Sequence, residues 1–225
     1  MNKRRFPVAS LVLLALFLAG CGTVTVSPYR DIPKPTAVIT LEDGRTMTFI
    51  LDPASAPNTV SNFVCLANSG YYDGMKIDYI YPTFFLRSGD PDGDGTGGPD
   101  YTIAGEFSDN GYAFNHLSHE RGVISMCRLD NDPNSAGSQF FIMQSTHMEY
   151  NGRYAAFGRI DKDDAQSLNT LDALFSVTLD KSYRPLVRQT ISSIRVDTKG
   201  YRYEVVKYGE PEEAVNNEEE THEQQ

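Results

Sequence analysis

The stretch IDYIYPTFFLRSGDPDGDG, residues 77–95, combines an aromatic run with one arginine, Arg87, and a loop of aspartate and glycine. Aromatic side chains at this density are typical of a hydrophobic core. A cation at the end of such a run, beside a turn, indicates instead a surface that the chain presents to a partner. The chemistry available there is that of a positively charged hydrogen-bond donor next to apolar rings.

The loop that follows Arg87 matches part of a calcium site without completing one. Asp90, Asp92 and Asp94 followed by Gly95 fit the first half of an EF-hand loop. The last position of that loop needs a bidentate glutamate, and Tyr101 occupies it. The loop also lacks the Gly-Lys-Ser/Thr ending of a phosphate-binding loop. We therefore interpret it as a glycine-rich turn at the rim of a surface.

Other reactive side chains form no complete catalytic or metal-binding pattern. His116 and His119 are close in sequence, but no further Cys or His completes a metal set, so we interpret both as structural or surface residues. Cys65 and Cys127 have no framework spacing and are interpreted as buried small hydrophobic residues rather than a disulfide. There is no nucleophile elbow and no Cys–His pairing. We expect neither a metal nor a cofactor.

Short β-rich segments separated by Gly, Pro, Asn and Asp turns must position these residues. Two of them flank Asp43-Gly44, which predicts a hairpin. Apolar residues three and four apart predict one helix from Pro57 to Gly70 and another from Gln166 to Phe175. Further strands are predicted at Ile77–Tyr81, Phe84–Arg87, Gly122–Cys127, Gln139–Met143, Ala155–Ile160, Ile191–Val196 and Tyr201–Val206. The pattern favours a closed β-barrel or sandwich with two helices.

The length of 225 residues suits one domain with attachments at both ends. Residues 1–20 have a basic start and a short apolar run, which predicts a signal peptide rather than a membrane span. Residues 21–35 are proline-rich and are interpreted as a tether, residues 36–208 as the domain, and the glutamate-rich residues 209–225 as a disordered tail. The net charge of -10 argues against nucleic acid as a partner.

The leader ends in Leu18-Ala19-Gly20-Cys21, which resembles the lipobox of bacterial lipoproteins. The resemblance implies cleavage before Cys21 and attachment of lipid to its sulfur. The alternative is an ordinary signal peptide that ends near a cysteine. We therefore expect an extracytoplasmic monomer, anchored to a bacterial membrane as a lipoprotein through acyl chains.

Six sequence blocks, in order within residues 37–198, resemble the bacterial cyclophilins, which are peptidyl-prolyl cis-trans isomerases. The blocks are TVSNFVCLANSGYYDG, GTGG, GEF, RGVISM, DPNSAGSQFFI and YAAFG. The resemblance implies a mainly β fold, an eight-stranded antiparallel closed β-barrel capped by two α-helices. It also implies that the partners are proline-containing segments, here those of exported proteins.

The same resemblance implies where a peptide would bind. Gln139 falls on a glutamine of the family's site. The implied substrate-binding residues, which comprise a proline pocket and the walls of a groove, are Phe84, Phe85, Cys127, Arg128, Phe141, Met148, Tyr150 and Tyr154.

The catalytic arginine of the family is displaced in this chain. Its position is occupied by Tyr79, and the position of a neighbouring glutamine is occupied by Arg87. We expect Arg87, Tyr79 and Gln139 to be the catalytic residues, with the neutral Tyr79 hydroxyl the weaker donor. The alternative is that Arg87 only solvates the rim beside Asp90.

The reaction implied by the resemblance needs no nucleophile, because no covalent bond breaks. Rotation about an Xaa-Pro bond faces a barrier of roughly 18–20 kcal/mol. A donor aimed at the prolyl nitrogen stabilises the twisted amide more than the planar one. We expect an isomerase of reduced activity that assists the folding of exported proteins at the membrane surface. The alternatives are a catalytically weak or inactive module that binds proline peptides, and a structural role of the acidic tail.

Overall fold

The computed structural model describes residues 27–210. The strands and helices in chain order are β1 (Thr36–Leu41), β2 (Thr46–Leu51), α1 (Pro57–Asn68), β3 (Tyr79–Tyr81), β4 (Phe85–Ser88), β5 (Val123–Met126), β6 (Phe140–Met143), β7 (Ala156–Ile160), α2 (Ala165–Phe175) and β8 (Ile191–Asp197). Two single turns of 3-10 helix, Ser108–Asn110 and Met148–Tyr150, interrupt the loops. The predicted positions of both helices are confirmed.

All eight strands form one antiparallel sheet in the order β3-β4-β6-β5-β7-β2-β1-β8. The prediction of a mainly β, eight-stranded antiparallel fold with two helices is confirmed. The structure does not show the full closure of the barrel that was also predicted. The edge strands β3 and β8 do not pair with each other. The segment before β3 is instead connected to the β8 side by individual backbone hydrogen bonds, such as Gly74 N–H to Ile191 O (2.8 Å) and Ile77 N–H to Gln189 O (2.9 Å). The sheet is therefore a curled half-barrel.

The core lies inside the curl of the sheet and is sealed by the helices. Buried and partly exposed residues alternate along β1 and β2, because successive side chains of a strand point to opposite faces. Phe63 of α1 packs against Phe157 of β7 and Phe140 of β6, with ring centroids 5.1 and 5.6 Å apart. Helix α1 thereby plugs the half-barrel and holds β6, a strand of the site described below, from its inner side.

Each helix start has its own source of capping. Ala56 precedes α1 and offers no side-chain cap, so the buried carboxylate of Glu106 accepts hydrogen bonds from Asn58 N–H (3.0 Å) and Thr59 N–H (2.8 Å). Burial raises the pKa of Glu106, against the hydrogen bonds that favour its charged form. At α2, Asp164 accepts from Ser167 N–H at 3.0 Å.

The predicted strand at Tyr201–Val206 is wrong. Residues 201–207 form no strand, and the backbone polar groups of Val206 pair with a side chain instead of a neighbouring strand. The Asn58 amide donates to Val206 O (2.8 Å) and accepts from Val206 N–H (2.9 Å), as a strand partner would. This segment therefore runs along α1 and does not extend the sheet.

The predicted attachments fall partly outside the described residues. Cys21, the rest of residues 1–26 and residues 211–225 lie outside them. Of the predicted tether, Ile32 packs against the core and Pro33 O accepts a hydrogen bond from the Tyr203 hydroxyl at 3.2 Å. Within residues 27–210, no helix is both long enough and apolar enough to cross a membrane.

Candidate functional site

The register of three neighbouring strands brings the candidate residues together. Arg87 of β4 lies between Tyr79 of β3 and Phe141 of β6. The residues that alternate with them, including Leu86 and Ile142, are buried in the core. Because side chains alternate across a strand, Tyr79, Arg87 and Phe141 all lie on the outer face of the sheet.

A cavity of about 710 Å³ opens over this outer face. It collects most of the residues predicted for the site from regions distant in the sequence. The predicted residues that line it are Tyr79, Phe85, Arg87, Cys127, Arg128, Gln139, Phe141, Tyr150 and Tyr154. The remaining wall comes from the glycine-rich loop at residues 95–98, from residues 99–102, and from residues 129–138.

Aromatic rings make one end of the cavity an apolar pocket. The buried ring of Phe141 has the Phe85 ring on one side, with centroids 5.4 Å apart, and the Tyr154 ring edge-on at 5.5 Å. Tyr150 and Tyr154 stack on each other at 4.7 Å. A flat apolar floor with aromatic walls suits a compact apolar ring, because the carbon atoms of the pocket cover the faces of the bound ring.

A buried histidine supports Phe141 from below. The His119 ring stacks on the Phe141 ring with centroids 5.9 Å apart and 15° between their planes. Its Nδ1 donates to Asn151 Oδ1 (3.0 Å), which also accepts from the His119 backbone N–H, so Nε2 is left to accept from the Ser125 hydroxyl (3.1 Å). Burial lowers the pKa of His119. His119 is thus a neutral structural residue beneath the pocket.

Arg87 lies beside this pocket as the cross-strand partner of Phe141, and it is held there by an ion pair that the sequence analysis missed. Its Nε donates to Asp78 Oδ2 at 3.2 Å, and its Nη2 donates to the same oxygen. Burial acts against the charge of Arg87, but the Asp78 carboxylate outweighs burial and raises the Arg87 pKa. The side chains are 25% and 5% exposed, respectively. Asp78 was missed because its partner lies on the neighbouring strand.

One donor group of Arg87 has no partner among the described residues. The ion pair uses Nε and Nη2, which leaves Nη1 and its two N–H groups. A Cβ atom at Gly95 would stand 3.4 Å from Nη1, so the missing side chain of this glycine keeps the space beside it open. The Arg87 guanidinium carbon also lies 5.6 Å from the centre of the Tyr79 ring. The guanidinium therefore presents one free donor edge to the cavity.

The loop with the three aspartates is organised by its own first carboxylate. Asp90 is buried and accepts from the backbone N–H groups of Asp92 (2.9 Å), Gly95 and Gly97 (3.0 Å). Gln139 ties the loop to the cavity, since its Nε2 donates to Gly95 O (3.1 Å) and Gly97 O (2.8 Å). Both amide hydrogens of Gln139 are thereby used, and its Oε1 remains as an acceptor.

Cys127 and Arg128 form a wall without reactive chemistry. Burial raises the pKa of the Cys127 thiol to about 12, so the sulfur is a neutral apolar group. The Arg128 guanidinium lies 4.7 Å from the centre of the Tyr154 ring and donates to Arg153 O at 3.0 Å. The thiols of Cys65 and Cys127 are both free.

Two of the predicted substrate-binding residues do not line the cavity. The Phe84 ring packs on the His147 ring, with centroids 3.8 Å apart, and edge-on against Phe85 at 5.0 Å. Met148 is 56% exposed on a 3-10 turn, where Asn151 Nδ2 approaches its sulfur at 3.6 Å. Phe84 thus supports Phe85 from behind, and a role of either residue in peptide contact stays a prediction.

Comparison with known proteins identifies the family. The model of the cyclophilin type peptidyl-prolyl cis-trans isomerase/CLD family matches residues 36–196, which contain both helices and all eight strands except the last residue of β8. The chain belongs to the cyclophilin family. Peptidyl-prolyl cis-trans isomerase B of Bacillus subtilis is 37% identical over 147 residues, which cover 64% of this chain and 98% of that protein. The peptidyl-prolyl cis-trans isomerase of Synechococcus elongatus is 35% identical and covers 64% and 94%.

A solved structure agrees with these relatives. The cyclophilin type isomerase of Cryptosporidium parvum, crystallised in the presence of the dipeptide Ala-Pro, superposes with a TM-score of 0.63. It is 30% identical, and the match covers 72% of this chain and 98% of that one. The protein is therefore a cyclophilin and a peptidyl-prolyl isomerase, and the alternative of a module that only binds is not favoured. The described part of the chain holds no group of three His, Cys, Asp or Glu side chains suited to a metal.

Proposed function

We propose that this cyclophilin isomerises Xaa-Pro bonds in exported polypeptides while a lipid on Cys21 holds it at the outer surface of a bacterial membrane. The observation that carries the reaction is the geometry of one cavity, in which Arg87, with its free Nη1, is the direct cross-strand neighbour of Phe141 in the aromatic pocket. The observation that carries the location is the sequence Leu18-Ala19-Gly20-Cys21 after a basic and apolar leader.

The aromatic pocket provides the fixed point about which the peptide turns. A proline ring on Phe141 is enclosed by Phe85 and Tyr154, whose centroids lie 5.4 and 5.5 Å from that of Phe141. Burial of the ring holds the nitrogen side of the amide while the preceding carbonyl rotates. The isomerase of Cryptosporidium parvum crystallised with Ala-Pro supports a proline-containing ligand for this fold.

Arg87 provides the group that favours the twisted amide. As the Xaa-Pro bond twists, resonance is lost and the prolyl nitrogen regains a lone pair that accepts a hydrogen bond. The Nη1 group of Arg87 is free to donate to it, because Asp78 holds the guanidinium through Nε and Nη2. A donor held in place before the reaction needs no reorganisation in the transition state.

Gln139 completes the arrangement as an acceptor. Its amide hydrogens are fixed on Gly95 O and Gly97 O, so its Oε1 accepts a backbone N–H of the bound peptide. This contact aligns the chain along the cavity without favouring one isomer. In this proposal Gln139 binds and aligns the peptide, and Arg87 is the donor.

The test of the location is replacement of Cys21 by alanine in the full chain. We expect the Cys21→Ala protein to leave the membrane fraction or to remain unprocessed, because no thiol remains at the cleavage site for lipid. Cys65→Ala is the matched control, since Cys65 lies within the folded domain on α1, and this variant should stay in the membrane fraction. Normal processing and membrane retention of Cys21→Ala would contradict the anchor.

The test of the biological reaction is the refolding of an exported protein whose slow step is Xaa-Pro isomerisation. Uncatalysed isomerisation takes tens to hundreds of seconds, so catalysis is easily resolved. The full chain should accelerate this slow phase, and the Arg87→Gln variant should accelerate it less. Acceleration that is absent for the protein substrate but present for short peptides would contradict a role in folding.

A further inference from the structure

Four aromatic rings form a continuous surface beside the cavity, which we call the aromatic shelf. They belong to Tyr79 and Tyr81 of β3, Phe85 of β4, and Tyr183 in the loop between α2 and β8. The Tyr183 ring lies 5.3 Å from that of Tyr81 and 5.9 Å from that of Tyr79. Phe85 lies 6.1 Å from Tyr79 and 6.4 Å from Tyr81.

The outer half of the shelf is exposed, although its residues are large and apolar. Tyr81 and Tyr183 are each 41% exposed. Neighbouring exposed rings of this kind are a feature of binding surfaces, since burying one aromatic side chain removes a large apolar area from water.

Backbone strain indicates that the position of Tyr183 is specifically maintained. Tyr183 has φ +60°, a left-handed conformation that is unfavourable for a bulky L-residue. The conformation is enforced by Ile80 N–H, which donates to Tyr183 O at 2.9 Å, and by Asp180, whose carboxylate accepts from Ser182 N–H (2.8 Å) and Arg184 N–H (2.9 Å). The loop therefore holds a strained tyrosine against β3.

The shelf is continuous with the substrate cavity. Tyr79 and Phe85 belong to both surfaces, because they line the cavity and also contact Tyr81 and Tyr183. Alternate side chains on one side of an extended peptide are about 6.5–7 Å apart. The 6.4 Å between Phe85 and Tyr81 matches that spacing. A peptide with its proline on Phe141 and Phe85 therefore brings another side chain onto the shelf.

We propose that the aromatic shelf is a substrate subsite that selects peptides with an aromatic or large apolar side chain about two residues from the proline. The occupant is part of the same polypeptide segment that the isomerase turns over. The proposal rests on the isomerase reaction and not on the membrane location, so the failure of the Cys21 experiment would leave it intact.

The test compares peptides that carry Phe or Ala at each position on either side of one proline, using the purified full chain. The measured quantity is the ratio of kcat/KM for the Phe peptide to that for the Ala peptide, with the ratio of Kd values measured in parallel. We expect the parent to prefer Phe at one position about two residues from the proline. Tyr183→Gly should lower that preference about fivefold, since an aromatic pair contributes on the order of 1 kcal/mol and 1.4 kcal/mol is tenfold.

Two matched variants separate the ring from the loop. Tyr183→Phe keeps the ring and should keep the preference, whereas Leu186→Ala removes an exposed apolar side chain of the same loop and should also keep it. Glycine accepts the positive φ without strain, so Tyr183→Gly preserves the loop path. A parent without any Phe preference, or a preference that survives Tyr183→Gly, would overturn the proposal. A parent that binds the Phe peptide more tightly than the Ala peptide but isomerises neither, with a Kd ratio that Tyr183→Gly lowers, would support the shelf and count against the isomerase reaction.

Discussion

Replacing Arg87 by glutamine tests the electrostatic step directly. The change removes the free Nη1 donor, and a neutral amide takes the place of the cation. Hydrogen bonds from charged donors exceed neutral ones by about 1–2 kcal/mol. Since 1.36 kcal/mol of transition-state stabilisation is tenfold in rate, we expect kcat/KM for an Xaa-Pro peptide to fall about tenfold. Peptide affinity should change little, because the proline pocket at Phe141 is untouched.

The same substitution has a stability effect that must be separated from catalysis. Asp78 is 5% exposed at its side chain, and its Oδ1 already lacks a hydrogen-bond partner, so loss of Arg87 leaves the whole carboxylate buried and unpaired. Breaking a fully buried pair costs about 3–5 kcal/mol, and we expect on the order of 2 kcal/mol here because Arg87 keeps 25% exposure. For a domain of this size that corresponds to a fall in Tm of about 4–8 °C.

A second variant removes the confounding charge. Asp78→Asn together with Arg87→Gln leaves no unpaired carboxylate and should recover most of the Tm, but the rate should stay about tenfold low. Adding Tyr79→Arg to Arg87→Gln places a guanidinium on the neighbouring strand β3. This double variant should isomerise the peptide faster than Arg87→Gln alone. The assay is the relaxation of an Xaa-Pro peptide at a temperature where all variants are folded. A parent-like kcat/KM in the Asp78→Asn, Arg87→Gln protein would refute Arg87 as the donor.

Three further predictions concern the pocket and its support. Phe141→Leu should weaken the binding of a proline peptide, measured by titration. The factor by which Kd rises should exceed the factor by which the folding equilibrium constant falls. Unchanged binding would mean that the proline pocket lies elsewhere. Burial lowers the pKa of His119 below its usual 6.5. As the pH falls, the imidazole is therefore protonated at a higher pH in the unfolded chain than in the folded one, and protonation favours unfolding. Stability should be complete above about pH 6.5 and decrease as pH falls below it, and His119→Gln should flatten that dependence in thermal melts. Cys127, with a pKa of about 12, should react with iodoacetamide at neutral pH far more slowly than a thiol of ordinary pKa, and rapid labelling would contradict the raised pKa.

The helices and most strands could be predicted because local patterns determine them. Residues three and four apart form the buried face of α1, and Pro57 occupies its first turn, as the sequence indicated. The segment 201–206 has the same local character as a strand, yet the Asn58 amide satisfies the backbone of Val206. Whether a β-prone run joins a sheet depends on which partner reaches its backbone, and that partner is distant in sequence.

The site was predictable where it follows strand register and unpredictable where it depends on loops. The alternation within residues 77–88 places Tyr79 and Arg87 on one face, which suffices to expect a shared groove. The contribution of Tyr183 depends on a loop about 100 residues further along the chain, whose Tyr183 carbonyl accepts a backbone hydrogen bond from Ile80. No periodicity in the sequence connects these segments.

The cross-strand position of Arg87 bears on the prediction that Tyr79 stands where the family has its arginine. Tyr79 and Arg87 are direct cross-strand partners, so the predicted exchange would move the guanidinium by one strand without changing the face on which it lies. The exchange has a consequence for its neighbours. A guanidinium on β4 reaches Asp78, which fixes two of its nitrogens and leaves the third free. The tyrosine on β3 now extends the apolar surface toward Tyr81 and Tyr183. The same pair of residues therefore links the electrostatic step to the aromatic shelf, and we expect variants at Tyr79 to change rate and peptide preference together.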